Sequence, residues 1–268
     1  YQFGMFYFDD KINSLSSSKN AGAAVFAPNA LSMIDNTSWS IFGQGTYELT
    51  EQWTLTAGLR YTDDEKDADH IDYTGNVATA PINLTDDFLS FDLSLAYTWS
   101  DNTQVYGRVA SGFRAPTIQD RIQDDPEVTT ADSEDIISYE IGIKGQADRF
   151  RYSAAAFYYE INDMQLVAIG GTSNSTTLLN AKEGTGMGVE AEIQYLLTDN
   201  LILSAGFGYA DTEINDPDLA VPAGPLTTPL DPLNAAGFAL IDGNPFQHAP
   251  EWTANIELDY THPLSDDR

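Results

Sequence analysis

Phe88-Leu89-Ser90-Phe91-Asp92-Leu93-Ser94-Leu95-Ala96-Tyr97-Thr98-Trp99-Ser100 decides the fold. Leu89, Phe91, Leu93, Leu95, Tyr97 and Trp99 alternate with Ser90, Asp92, Ser94, Ala96, Thr98 and Ser100. In an extended chain every second side chain shares a side, so the segment reads as a strand with one apolar and one polar face. The same pattern runs through Trp53 to Thr62 and Trp252 to Thr261. It recurs in Ile137 to Lys144, Gly188 to Tyr195, Leu201 to Tyr209 and Gln104 to Arg114. Tyr1 to Phe8 and Ser38 to Leu49 are strands as well. Tyr152 to Ile161 is a strand by composition, with aromatics on both faces, so its phase stays open. The total is about ten strands, and no segment shows a helical period.

The connections are of two kinds. Short polar ones occur at Thr50-Glu51-Gln52, Ser100-Asp101-Asn102, Ala147-Asp148-Arg149, Thr198-Asp199-Asn200 and Ser265-Asp266-Asp267. Asp, Asn, Ser and Thr side chains bond nearby backbone groups and so suit tight turns. The long ones are Asp9 to Thr37, Glu65 to Asp87, Ala115 to Glu134 and Ile214 to Gln247, with a lesser one at Gly170 to Thr177. Short and long alternate, which places all tight turns at one end of the sheet and all loops at the other.

Composition removes several classes of function. The 268 residues include 41 acids and 12 bases, a formal net charge of −29, which opposes nucleic-acid binding. Without cysteine there is no disulfide framework, thiolate zinc site or cysteine catalysis. No apolar run approaches the roughly 20 residues of a membrane helix. His70, His248 and His262 are scattered, and no Gly-x-Ser-x-Gly elbow occurs. Gly184 to Gly188 lacks the spacing and the following helix of a phosphate loop. The acidic run Asp63 to Asp69 lacks the glycine and closing glutamate of an EF-hand and reads as a solvated loop. We therefore expect no enzyme, no cofactor and no metal site.

Strands of about ten residues match the length that crosses a bilayer at a tilt. Aromatics stand at both strand ends: Trp53, Trp99, Tyr195 and Tyr260 near the turns, and Tyr61, Phe113 and Tyr209 at the far ends. Such bands suit the two membrane interfaces. The expected fold is all-β: a section of an antiparallel up-and-down transmembrane β-barrel. A soluble β-sheet adhesion or binding protein, whose sheets also alternate, stays open beside it. In the membrane reading Leu55, Leu59, Leu89, Phe91, Leu93, Leu95, Ile256 and Leu258 face lipid. Thr56, Ser94, Glu190 and Glu257 then face the interior.

Gly112-Phe113-Arg114-Ala115-Pro116-Thr117 resembles a stretch common in the barrels of TonB-dependent outer-membrane receptors. Phe42-Gly43-Gln44, Thr56 to Tyr61, Ser138 to Lys144, Ala156 to Tyr159, Gly188 to Glu192 and Ala249 to Thr253 agree in order and spacing. The resemblance implies an outer-membrane, multi-pass barrel that takes up a scarce large solute, such as a ferric siderophore, cobalamin or an oligosaccharide. It implies energy from the inner membrane through TonB, contact with outer-membrane lipid, and no nucleic acid. It also implies an N-terminal plug and further strands, so residues 1–268 are expected to be one partial barrel domain without its plug and final strands. A passive porin-like channel is the alternative.

Recognition is expected in the long loops, where Tyr73, Asn76, Gln119, Gln123, Asn174, Asn215, Phe238 and Asn244 offer rings and amides to a neutral solute. Arg60, Arg108, Arg114, Glu140, Lys144, Glu190 and Glu192 are expected on the interior wall, pairing with one another or touching a plug.

Overall fold

The computed structural model describes residues 1–18, 26–73, 77–78, 80–119, 128–170, 175–223 and 231–262. In chain order the strands are β1 (Gln2–Ser18), β2 (Ala27–Glu48), β3 (Trp53–Asp72), β4 (Val77–Ala78), β5 (Ile82–Ser100), β6 (Thr103–Arg114), β7 (Thr117–Ile118) and β8 (Thr130–Ala131). There follow β9 (Glu134–Ala147), β10 (Phe150–Gly170), β11 (Ser175–Thr198), β12 (Leu201–Ile214), β13 (Ala220–Val221), β14 (Ala239–Leu240) and β15 (Trp252–Tyr260). Ten of them form one antiparallel sheet in the order β1-β2-β3-β5-β6-β9-β10-β11-β12-β15, with β4 joined to β3. Every neighbour in that path is the next long strand in sequence. Among the described residues β1 and β15 each keep one unpaired edge.

The tight turns lie at Leu49–Gln52, Asp101-Asn102, Asp148-Arg149 and Asp199-Asn200, all at one end as expected. Thr50 Oγ1 accepts from the N–H groups of Gln52 and Trp53 at 3.2 and 3.1 Å, so the turn satisfies its own donors. The expected turn at Ser265 to Asp267 lies outside the described residues.

Register fixes the faces. One row of paired residues runs Tyr47–Leu55–Leu95–Gly107–Ile141–Ala156–Val189–Tyr209–Trp252, all on one face. That face carries Leu59, Leu89, Phe91, Leu93, Ile256 and Leu258, all exposed. Leu55 shares the face and is half-buried. The opposite face carries Thr56, Ser94, Glu190 and Glu257. The register also phases β10: Tyr152, Ala154, Ala156 and Tyr158 stand on the apolar face, Phe157 and Tyr159 on the polar one.

The same row reveals a tilt. It starts one residue from the turn end of β2 and finishes eight residues from the turn end of β15. Seven residues of stagger over eight inter-strand steps amount to ~23 Å of shift across ~38 Å of sheet, a strand inclination of roughly 30°. Measured from the turn end, Trp39, Tyr61, Tyr139, Tyr158, Tyr209 and Trp252 all lie eight or nine residues up, on the apolar face. Tyr47, Trp53, Tyr97, Trp99, Tyr152, Tyr195 and Tyr260 lie within three residues of it on that face. Corrected for the tilt, the two aromatic bands stand roughly 20 Å apart, within the height of the apolar belt of an outer-membrane barrel.

The long loops differ from expectation. Asp9 to Ser18 and Ala27 to Thr37 are strand, paired as Asp9↔Thr37 through Ser18↔Ala27. Glu65 to Asp72 and Ile82 to Asp87 are strand as well, paired as Glu65↔Thr85 and Ala68↔Ile82. Gly170 and Ser175 to Thr177 likewise belong to β10 and β11. The physical reason is a reversal of polarity at the upper aromatic band. From Leu89 to Leu95 the exposed residues of β5 are apolar; from Ile82 to Phe88 they are Asn83, Thr85 and Asp87, while Ile82, Leu84 and Phe88 are half-buried. In β3 likewise, Leu59 and Tyr61 give way to Asp63, Glu65, Asp67 and Asp69 on one face, and Ala68 and His70 are buried on the other. Backbone pairing continues through a change of solvent that breaks the hydrophobic pattern. The acidic run is therefore a strand with four of its five carboxylates on one face, rather than a loop.

Above the band the cores are small. Ile34, Ala68 and Ile118 pack with Ile82, Leu84 and Val128. Leu166, Ala181 and Ile214 pack with Met164, Leu179, Leu219, Ile241 and Phe246.

Candidate functional site

The polar face carries all seven expected wall residues. Arg108 stands directly opposite Glu140, yet its guanidinium pairs with Asp92 on the other neighbouring strand, with Nε to Oδ2 at 3.0 Å. Glu140 instead lies beside the Tyr106 hydroxyl, and the Lys144 ammonium lies 5.9 Å from the centre of the Tyr106 ring. Asp92, Arg108, Glu140, Tyr106 and Lys144 thus form one charged strip across β5, β6 and β9. Arg114 pairs with Glu134 at 3.5 Å, where β6 and β9 end. Glu190 and Glu192 stand exposed on β11 opposite Gly208 and Gly206, over which the Thr253 and Asn255 side chains lie. Near the turn end, Gln104, Lys144, Arg151, Glu192, Gln194 and Asn255 line a polar groove of about 820 Å³.

Aromatic rings line the same face by lying on glycines. A Cβ at Gly142 would stand 2.6 Å from the Tyr106 ring, and one at Gly4 2.6 Å from Phe42. Tyr159 covers Gly186 and Phe157 covers Gly188 in the same way. Arg60 lies beside two rings on its β1–β2 side, its guanidinium carbon 5.9 Å from the centres of both Phe6 and Phe42. Phe6 and the hydrogen-bonding centre Gln165 were not among the residues singled out from the sequence, and Phe42 stood out only within the family resemblance. The alternation signalled only that Phe6 and Phe42 are in strands, because their contacts with Arg60 depend on register.

The loop residues divide. Gln119 is buried and its amide donates to the Thr176 carbonyl at 3.1 Å. Asn215 donates to Thr185 Oγ1 at 3.0 Å, and Asn244 to Asp231 Oδ1 at 3.1 Å. These three amides hold the chain's own structure. Tyr73 and Phe238 present exposed rings. Asn76, Gln123 and Asn174 lie outside the described residues.

Two loops are anchored. Residues 115–119 and 128–133 lie where β6 and β9 stop short of their neighbours. Gln165 Nε2 donates to the carbonyls of Ala115 and Asp132 at 2.8 and 2.9 Å, and its Oε1 accepts from the Thr117 hydroxyl at 2.8 Å. On the β5 side Ser133 donates to Asp86. The segment after β12 is latched by Lys182, whose ammonium meets Asp216 at 3.2 Å and Asp218 at 2.6 Å. Burial pushes the Asp216 carboxyl up, but the Lys182 backbone N–H, the Lys182 ammonium and the Asp218 N–H outweigh it and hold it below its usual value.

An open antiparallel sheet with tilted strands, an exposed aliphatic belt between two aromatic bands and a charged opposite face defines a wall segment of a membrane β-barrel. Residues 1–267 match the family model described as TonB dependent receptor-like, beta-barrel, and the chain belongs to that family. Its members are receptors and transporters rather than enzymes. The chain is 28% identical over 151 residues to the pesticin receptor of Yersinia pestis, covering 56% of this chain and 22% of that protein. It is 22% identical over 230 residues to the probable TonB-dependent siderophore receptor PiuA of Acinetobacter baumannii, covering 83% of this chain and 29% of that one. The chain thus spans less than a third of the length of these relatives. The ferric yersiniabactin uptake receptor FyuA of Yersinia pestis shares the fold at a TM-score of 0.69 and 19% identity, over 96% of this chain and 36% of that one. The ferric-catecholate import receptor Fiu of E. coli K12, in its closed form, aligns at a TM-score of 0.68 and 14% identity, over 99% of this chain and 39% of that one.

Proposed function

We propose that residues 1–268 form part of the wall of an outer-membrane receptor that takes up a scarce large solute, driven through TonB from the inner membrane. The observation that carries this is the reversal of polarity at the upper aromatic band. The belt below it suits lipid, and the extensions above it suit water. On this reading the polar face lines the interior, the short turns face the periplasm, and the strand extensions with their anchored loops form the external mouth. The free edges of β1 and β15 pair with further strands of a longer chain, because unpaired backbone groups have no partners in lipid. The charged strip and the polar groove near the turns meet a plug. Similarity to proteins described as siderophore receptors supports an iron-carrying solute.

The test is uptake in cells expressing the full-length protein. Uptake should stop when TonB is deleted or the proton gradient is collapsed. Passive entry that ignores both would instead establish a porin-like channel.

A further inference from the structure

We infer that Arg60, set beside the rings of Phe6 and Phe42, is an anion-binding point that takes the carboxylate of an aromatic solute at the upper rim of the wall. The inference deepens the reading above, since it relies on the polar face lining the solute's path. Six of the described bases are ion-paired: Lys11, Lys66, Arg108, Arg114, Arg149 and Lys182. Arg60 has no acid in ion-pair range among the described residues, in a chain where acids outnumber bases 41 to 12. Strand register explains this. Its cross-strand partners are Phe42 and Ser90, neither of them charged. The side chain is exposed, yet it is held: Nε donates to Thr62 Oγ1 at 3.1 Å, and the rings of Phe42 on β2 and Phe6 on β1 stand 5.9 Å away on the same side. With Nε committed, the two terminal nitrogens remain as a fork matched to the two oxygens of a carboxylate.

The surroundings point the same way. Arg60 adjoins Tyr61 of the upper aromatic band and faces away from it, so a solute arriving from the loop end meets it early. In the next row Ser40 lies opposite both Phe6 and Thr62. It is 1% exposed, and its hydroxyl has no partner among the described residues. A bound carboxylate brings acceptor oxygens to a place whose guanidinium has no acid in ion-pair range among the described residues. Phe6, Phe42 and, opposite Thr62, Phe88 supply flat apolar surface for a ring carrying that group.

The experiment uses the full-length protein in detergent with arginine labelled by ¹⁵N, titrated with sodium benzoate and, separately, with uncharged benzamide. Benzoate should move the Arg60 Nε resonance and benzamide should not. R60Q should weaken benzoate binding about tenfold or more, with R60K retaining part of it as a charge without the fork. F42L should weaken it about two- to fivefold. R60K also guards against misfolding, because it keeps the charge in place. Equal binding of benzamide, unchanged binding by R60Q, or an Arg60 resonance that ignores saturating benzoate would overturn the assignment. Benzoate binding alongside uptake that ignores TonB would overturn the transporter reading and leave this site standing.

Discussion

At the residue scale, the wall is specified by pairs that only register brings together. Gly142 is opposite Tyr106, and the ring occupies the space a Cβ would need, at 2.6 Å. Gly142→Ala should therefore cost about 1–3 kcal/mol by overpacking. Removing the ring as well, in Tyr106→Ala, should recover most of that cost, which a double-mutant cycle in urea would measure. Facing is equally sharp. Leu93 is exposed on the apolar face and Ser94 half-buried on the other. Leu93→Arg should destabilise the membrane-inserted protein by about 2–4 kcal/mol, because a charge there must sit in lipid. Ser94→Arg should cost much less. Equal costs in a refolding titration would put the apolar face somewhere other than in lipid.

At the element scale, the extensions above the aromatic band behave as water-soluble structure. Gln165 is buried and its side chain makes three hydrogen bonds that tie Ala115, Thr117 and Asp132 to β10. Gln165→Ala leaves those groups without it, at about 1–3 kcal/mol. Faster amide exchange should follow in Thr117–Ile118 and Thr130–Ala131, with the ladder below unchanged. The Lys182 latch should respond to acid. Asp216 titrates below its usual value, so its contribution is complete above the unfolded carboxylate pKa of about 3.9 and is lost as pH falls through the folded value. Lys182 titrates above its usual value because of its bonds to Asp218 and Asp216, so its share is complete below about 10.4 and is lost only in stronger base. Limited proteolysis after β12 should accordingly be slow from about pH 5 to pH 9 and accelerate below about pH 4. Asp216→Asn should cleave fast throughout.

At the scale of the whole molecule, the sheet is a ladder of sequential hairpins whose stagger alone implies a tilted wall. Nine residue pairs join β12 to β15, from Leu201↔Tyr260 to Tyr209↔Trp252, and none involves the connecting loop. Replacing residues 217–243 of the full-length protein by a short linker should therefore leave membrane insertion intact, read as protease-resistant protein in the outer-membrane fraction. It should lower solute binding by cells if this loop contributes recognition. Unchanged binding, together with its loss in R60Q, would move recognition from the loops to the wall.

Much of this was legible in the residues themselves. Alternation in Phe88 to Ser100 and its counterparts set the strands, their order and their two faces, because side-chain period and backbone geometry are one property. The tight turns were legible for a similar reason, as short polar side chains satisfy turn donors locally. The strand extensions were not legible, because hydrophobic alternation reports a solvent boundary and the solvent changes at Trp39, Tyr61 and Leu89 while the hydrogen bonding does not. Nor was the pairing of Arg108 with Asp92 rather than Glu140, the inward use of Gln119, Asn215 and Asn244, or the placing of two rings beside Arg60. Each depends on which residue of a distant strand falls opposite. That is set by register and stagger across the sheet, and only the tertiary structure decided it.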